Sequence, residues 1–239
     1  MLLRSVSLKK QELDSYLLQL PMVQYLQDLP YFEFTSPVTC LVGENGAGKS
    51  TLLEAIALRL RFSPFGGRYD DAKRIRAPFR GLSAGLSCKL DENLQRGYFL
   101  RAETHESVLE AANTPDERAG RNTLPREVDL EHRSHGESVF DVLGEHIDGR
   151  GLYILDEPEA GLSVVRQMAL VAEIHQAAER GAQFLIATHS PILLAVPGAD
   201  IVELGDAGFE RISFDAAEPV AATREFLEAP EETIKFLIT

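Results

Sequence analysis

Val38-Thr39-Cys40-Leu41-Val42-Gly43-Glu44-Asn45-Gly46-Ala47-Gly48-Lys49-Ser50-Thr51 decides the fold. Val38 to Val42 is a short, β-rich apolar run of the kind buried on both faces of a sheet. Gly43 to Gly48 breaks it. From Lys49 to Leu60, the residues Leu52, Leu53, Ile56, Ala57 and Leu60 fall on one helical stripe. The order is strand, glycine loop, helix, and the loop fits G-x-x-x-x-G-K-[ST]. Its glycines let successive backbone N–H groups turn toward one point and form an anion nest. The helix that follows adds the positive end of its dipole. In this pattern Lys49 reaches the β- and γ-phosphates of a nucleotide, and the Ser50 hydroxyl is a Mg²⁺ ligand. Glu44, Asn45, Gly46, Ala47, Gly48 and Thr51 complete the candidate phosphate cradle.

Two more strand ends carry matching chemistry. Leu152-Tyr153-Ile154-Leu155-Asp156-Glu157 is an apolar strand that delivers two carboxylates at its C-terminal end, where α/β sheets bind ligands. Neighbouring strand residues point to opposite sides, so the two acids are expected to divide the work. Asp156 suits the surroundings of Mg²⁺, and Glu157 suits polarising the attacking water. His189, in Ala187-Thr188-His189-Ser190-Pro191, ends a third apolar strand and is a candidate γ-phosphate contact. Further strands are expected at Tyr98 to Leu100 and Ile201 to Leu204. Helices are expected at 11–20, 137–147, 164–178 and 191–195, and as a C-terminal pair over 218–237 broken at Pro230. Pro21 and Pro30 read as punctuation; residues 62–96 are weakly patterned, and FGG, APFRG and SAG within them read as turns and loops. Alternating strands and helices imply an α/β fold with a mostly parallel sheet.

Composition narrows the function. The chain has 239 residues, 44% of them apolar, enough for one large domain or one domain with an inserted lobe. No apolar run approaches the ~20 residues that cross a bilayer. The N-terminus lacks a secretory pattern, and two cysteines, Cys40 and Cys88, fit a reducing cytosol. The net charge of −13 is carried entirely outside residues 63–135, which hold 12 basic and 12 acidic side chains. Such a chain is no indiscriminate polyanion binder. Any nucleic-acid contact would need a local patch; Arg68, Lys73, Arg74, Arg76 and Arg80 are one candidate, and a solvated loop is the other reading. The acidic stretch 199–239 reads as a solvated face or a partner surface.

Together these residues resemble the ABC-type ATPases, over nearly the whole chain. The phosphate loop has the ABC form, and Asp156 and Glu157 match the Walker B pair. Glu159-Ala160-Gly161-Leu162-Ser163 occupies the D-loop position, and His189 that of the switch histidine. Ser134-His135-Gly136-Glu137 is similar to the signature motif, which in the family binds the γ-phosphate of nucleotide held by another subunit. It departs from the family at Arg133, His135 and Glu137, leaving Ser134 and the Gly136 backbone as the contacts. Glu103 stands where the family has its glutamine-loop Gln, and is either an oxygen ligand near Mg²⁺ or a surface partner of Arg101. Tyr16, Tyr25 and Phe32 precede the phosphate loop, and the sequence does not choose among them as an adenine-stacking aromatic.

Asp-Glu-Pro-Glu-Ala-Gly-Leu and Thr-His-Ser-Pro-Ile-Leu resemble the soluble SMC/RecF-like branch, which includes chromosome-maintenance, recombination-repair and phage-defence ATPases. Within it the chain is similar to small stand-alone "AAA family" ATP-binding proteins. The resemblance implies a P-loop NTPase fold with an ABC-type head over 1–239. Residues 62–135 would be an inserted irregular or helical lobe ending at the signature, and 218–239 the C-terminal helices. It further implies a cytoplasmic, Mg²⁺-dependent ATP hydrolase that dimerises on ATP and works on an unidentified protein partner, with nucleic acid a further candidate. The alternative is the ATPase subunit of a membrane ABC transporter.

Overall fold

The structure is a computed structural model that describes residues 1–9, 13, 15–69, 81–101, 147, 149–205 and 208–238. Ten strands are present among them: β1 Leu3–Leu8, β2 Phe32–Glu33, β3 Val38–Val42, β4 Gly67–Arg68, β5 Leu86–Leu90, β6 Gly97–Leu100, β7 Leu152–Asp156, β8 Gln183–Ala187, β9 Asp200–Gly205 and β10 Gly208–Ile212. Seven form a central sheet in the order β10-β9-β3-β8-β7-β6-β4. Its inner pairs, β9 to β3, β3 to β8, β8 to β7 and β7 to β6, are all parallel. Only the edge strands β10 and β4 run antiparallel. β2, β1 and β5 form a separate antiparallel sheet.

The continuous apolar runs have a direct cause. Successive side chains of a strand point to opposite faces, and here both faces are covered. In β7, Leu152 and Ile154 enter one core, and Tyr153 and Leu155 the other. In β8, Leu185 and Ala187 join the first, and Phe184 and Ile186 the second. The first core is closed by the helix Lys49–Arg59 through Leu52, Leu53 and Ile56, and by the small sheet through Leu3 and Val6. The helix Val164–Glu179 closes the second core with Leu170, Ile174 and Ala177. Each large side chain removed from water in this way contributes roughly 1.5–3 kcal/mol.

One buried side chain of the central sheet clasps the start of the small one, in addition to the shared core and the Arg211 donation to Glu33 O at 2.6 Å. Gln183 Oε1 accepts the N–H groups of Leu2 and Leu3 at 2.9 and 2.7 Å, and its Nε2 donates to Leu3 O at 2.8 Å. Gln183 is buried, so every polar atom it brings inside finds a partner.

Several expectations are corrected. The helix placed at 11–20 reduces to one 3-10 turn, Leu17–Gln19, and residues 10–12 and 14 lie outside the described ones. The true helix is Pro21–Asp28. Pro21 starts it, because a proline lacks only an N–H that the first helical turn leaves unpaired anyway. The weakly patterned stretch 62–96 contains β4, β5 and the short helix Leu82–Gly85, which takes in the SAG read as a turn. β1 was not expected either; its alternation is interrupted by a register shift between Leu3 and Ser5. Helix 191–195 is a 3-10 turn at Leu193–Ala195. The helix expected over 137–147 lies outside the described residues except for Ile147. The C-terminal pair is present as Glu218–Glu228 and Pro230–Leu237.

Candidate functional site

β3, β8 and β7 are adjacent and parallel, so their C-terminal ends bring the phosphate loop, His189 and the Asp156-Glu157 pair to one edge. This is where doubly covered α/β sheets place their ligands.

The loop is held in shape by its glycines. Gly43 sits at φ 135°, and a Cβ there would lie 2.3 Å from the carbonyl oxygen of Leu204. Gly48 is left-handed at φ 98° and opens the helix Lys49–Arg59 without any side-chain cap. Its leading N–H groups are thus free for an anion. Lys49 is only 6% exposed, and its Nζ donates to Gly43 O at 2.7 Å and Glu44 O at 3.0 Å. Burial pushes its ammonium below the ordinary lysine range, and the carboxylates of Glu157, Asp156 and Glu159 partly offset that shift. A cleft of about 370 Å³ runs along the loop, lined by Glu44, Asn45, Gly46 and Ala47 together with Pro21 and Glu203.

Ser50 Oγ donates to Asp156 Oδ1 at 2.8 Å, across 106 residues of chain, and Asp156 is 7% exposed. An exposed hydroxyl against a buried carboxylate makes an all-oxygen donor set that a ligand can reach, which suits a hard divalent cation such as Mg²⁺. Glu157 corrects an expectation. It is not a strand residue whose side chain simply alternates with Asp156. The strand ends at Asp156, and Glu157 takes a left-handed conformation at φ 48° while its N–H donates to Ala187 O at 2.9 Å. A non-glycine residue held there is uncommon, and such strain collects at functional sites.

The turn after Glu157 is tied to the His189 segment. Glu159 Oε1 accepts from Thr188 Oγ1 and from the His189 N–H, both at 2.7 Å. Ser190 Oγ donates to Gln167 Oε1 at 2.6 Å, and Gln167 Nε2 donates back to Leu162 O at 3.0 Å. From sequence, Glu159 had only a place in the D-loop and Gln167 none; their spacing carries no chemical pattern. Among the described residues, the buried atoms His189 Nε2 and Glu159 Oε2 have no hydrogen-bond partner.

The aromatic question is narrowed by packing. Tyr25 donates its hydroxyl to Phe209 O and packs on the Phe209 ring, and Phe32 packs between Phe34 and Phe209. Both are committed to the core. Tyr16 is 62% exposed and edges a recess of about 220 Å³ that also includes Thr51, Glu54 and Ser83. Arg101 donates to Glu54 Oε1 at 3.2 Å, which ties the end of β6 to the helix of the phosphate loop. Glu103, Ser134, Gly136 and the stretch 70–80 lie outside the described residues. Cys40 is a core residue, as expected, its thiol pushed up to about 12 by burial.

Strand, glycine loop and helix at the edge of this sheet define the fold of a P-loop NTPase. Comparison with known proteins narrows the class. A family profile described as "AAA domain" matches residues 19–95, and one described as "AAA domain, putative AbiEii toxin, Type IV TA system" matches 102–195. The Lipoprotein-releasing system ATP-binding protein LolD 1 of Caulobacter vibrioides is 31% identical over 64% of this chain and 72% of its own length. The Hemin import ATP-binding protein HmuV of Idiomarina loihiensis is 28% identical over 70% of each chain. A longer relative, ABC transporter G family member STR2 of Medicago truncatula, is 24% identical, and the chain spans 26% of its length. Among solved structures, an SMC head bound to the C-winged helix domain of ScpA superimposes with a TM-score of 0.51 at 14% identity. That superposition covers 89% of this chain and 98% of the other, and speaks for the fold alone. The chain belongs to the ABC-type ATPase family. Among the described residues no helix is long and apolar enough to cross a membrane.

Proposed function

We propose that the chain is a Mg²⁺-dependent ATPase whose ATP-bound form pairs with a second copy, so that nucleotide turnover switches the state of a bound partner. The observation that carries this reading is the Ser50–Asp156 hydrogen bond beside the strained Glu157 and the unpaired His189 Nε2. Residues 1–239 would act as one ABC-type head, with 62–135 as an inserted lobe. The phosphate loop and Lys49 hold the β- and γ-phosphates, and Tyr16 offers its exposed ring to the base. Ser50 and Asp156 would hold Mg²⁺, which neutralises developing phosphate charge when bound. Glu157 orients and polarises the attacking water, and His189 donates to the γ-phosphate. Positioning and charge do most of the work in such a transfer. Glu103, Ser134 and Gly136 keep their proposed roles, the last two toward nucleotide held by the other copy.

The test is the light-scattering mass of Glu157→Gln with and without Mg²⁺-ATP. A shift from 26.4 kDa toward twice that mass supports the switch. A chain that binds ATP and stays at 26.4 kDa overturns the homodimer.

A second reading has its own support. The relatives HmuV and LolD 1 are named for import and release systems, which favours an ATPase subunit serving a separate membrane chain. Co-purification with a polytopic membrane protein separates it from the first reading. Within the first reading, roles in DNA maintenance, repair or defence are tested by duplex-stimulated hydrolysis, which Arg74→Glu with Arg76→Glu should remove.

A further inference from the structure

We propose that Glu159 is the positioning residue for His189: its carboxylate fastens the turn after Glu157 to the His189 backbone and so sets the imidazole against the phosphate. This rests on the hydrolytic reading above. Three observations carry it. One oxygen, Glu159 Oε1, accepts two donors from the next strand's end, the Thr188 hydroxyl and the His189 N–H, both at 2.7 Å. Thr188 is fully buried, and its oxygen in turn accepts the Ser190 N–H at 2.9 Å, so the grip extends to both sides of His189. The turn itself is closed, because Leu162 N–H donates to Glu159 O and the Ser190–Gln167–Leu162 chain returns to the same residue.

The remaining atoms of the network point to a ligand. Glu159 Oε2 and His189 Nε2 are two of the three buried side-chain polar atoms without a partner among the described residues. Buried polar atoms are ordinarily paired, and exceptions mark places where something binds. The network is complete at Glu159 Oε1 and unfilled at Glu159 Oε2 and His189 Nε2 among the described residues. A displacement of the turn that carries Glu159 is delivered directly to the His189 N–H by its carboxylate, while the Gln167 link acts on Ser190.

The experiment is steady-state hydrolysis by Glu159→Ala, Glu159→Gln, His189→Ala and the Glu159→Ala/His189→Ala double variant, with amide exchange at His189 followed in parallel. Removing a group that orients a functional side chain typically costs about 10–100-fold in activity. Glu159→Ala should therefore lower kcat by that factor with KM for ATP little changed. Glu159→Gln keeps an oxygen acceptor for both donors and should recover most of the rate. The double variant should be no slower than His189→Ala, because Glu159 acts only through His189. Protection of the His189 amide should be lost in Glu159→Ala and kept in Glu159→Gln. Glu159→Asp, which shortens the reach by one methylene and keeps the charge, is the milder probe and should also lower kcat at constant KM. Multiplying losses in the double variant, or wild-type turnover in both Glu159→Ala and Glu159→Asp, overturns the inference alone. A wild-type chain that binds ATP without hydrolysing it overturns the hydrolytic reading and the inference with it.

Discussion

Two regions meet at the edge of the central sheet, and they treat their polar atoms differently. Around the phosphate loop the two working side chains already have partners: Lys49 rests on the carbonyls of Gly43 and Glu44, and Ser50 on Asp156. Around residues 157–190 the backbone is firmly tied, yet Glu159 Oε2 and His189 Nε2 stay unpaired in buried positions. The difference separates capture from conversion. A cradle can be built complete and still exchange its internal partners for phosphate oxygens. A group that acts on the reaction must keep its working atom unspent until the ligand arrives.

Breaking the first region should have the largest effect. Lys49→Ala removes the cation that rests on the loop carbonyls, and ATP affinity should fall more than about 100-fold, at 1.4 kcal/mol per tenfold. Isothermal titration reads it directly. Breaking the second region should leave capture intact. Glu157→Gln should bind ATP as the wild type does while turnover falls by about 10²-fold or more, the range for a positioned base. Equal turnover in the variant and the wild type would remove Glu157 from that role. Tyr16→Ala is a gentler test of where capture ends. Losing an aromatic face worth about 0.5–1.5 kcal/mol should weaken ATP binding up to about tenfold with kcat unchanged.

The smallest effect is one of pH. The folded chain holds Lys49 below its ordinary value of 10.5, chiefly because burial penalises the ammonium. Between that depressed value and 10.5 the unfolded chain binds the extra proton and the folded chain does not. Nucleotide-free stability should therefore rise with pH across this window. ATP affinity should fall across the same window, because the neutral amine no longer attracts phosphate. Thermal melts and ATP titrations over the same pH series check both signs, and Lys49→Met should flatten both slopes.

Much of this arrangement was legible in the residues. Val38 to Thr51 announced strand, loop and helix because glycine spacing and a lysine after the last glycine admit few other uses. The buried strands β7 and β8 could be read because both faces are apolar. The strand β1 could not, since its alternation slips at a bulge and its partner β5 lies 80 residues on. Pro21 misled because proline both ends structure and begins helices, and its side chain alone does not say which. At the site, Asp156, Glu157 and His189 were readable by position after apolar runs. The left-handed turn at Glu157 and the grip of Glu159 on His189 were not, because both depend on two strand ends that meet only in three dimensions.

The Gln183 clasp has a consequence for how the molecule is made. It joins the second and third residues of the chain to one that lies 180 positions later. Synthesis runs from the N-terminus at roughly 5–20 residues per second. Leu2 and Leu3 must therefore wait on the order of ten seconds or more before their anchor exists. β1 is made early and clasped late, and in that interval Leu3 and Val6 have only the earlier part of their core, such as Leu53 and Ile56, to enter.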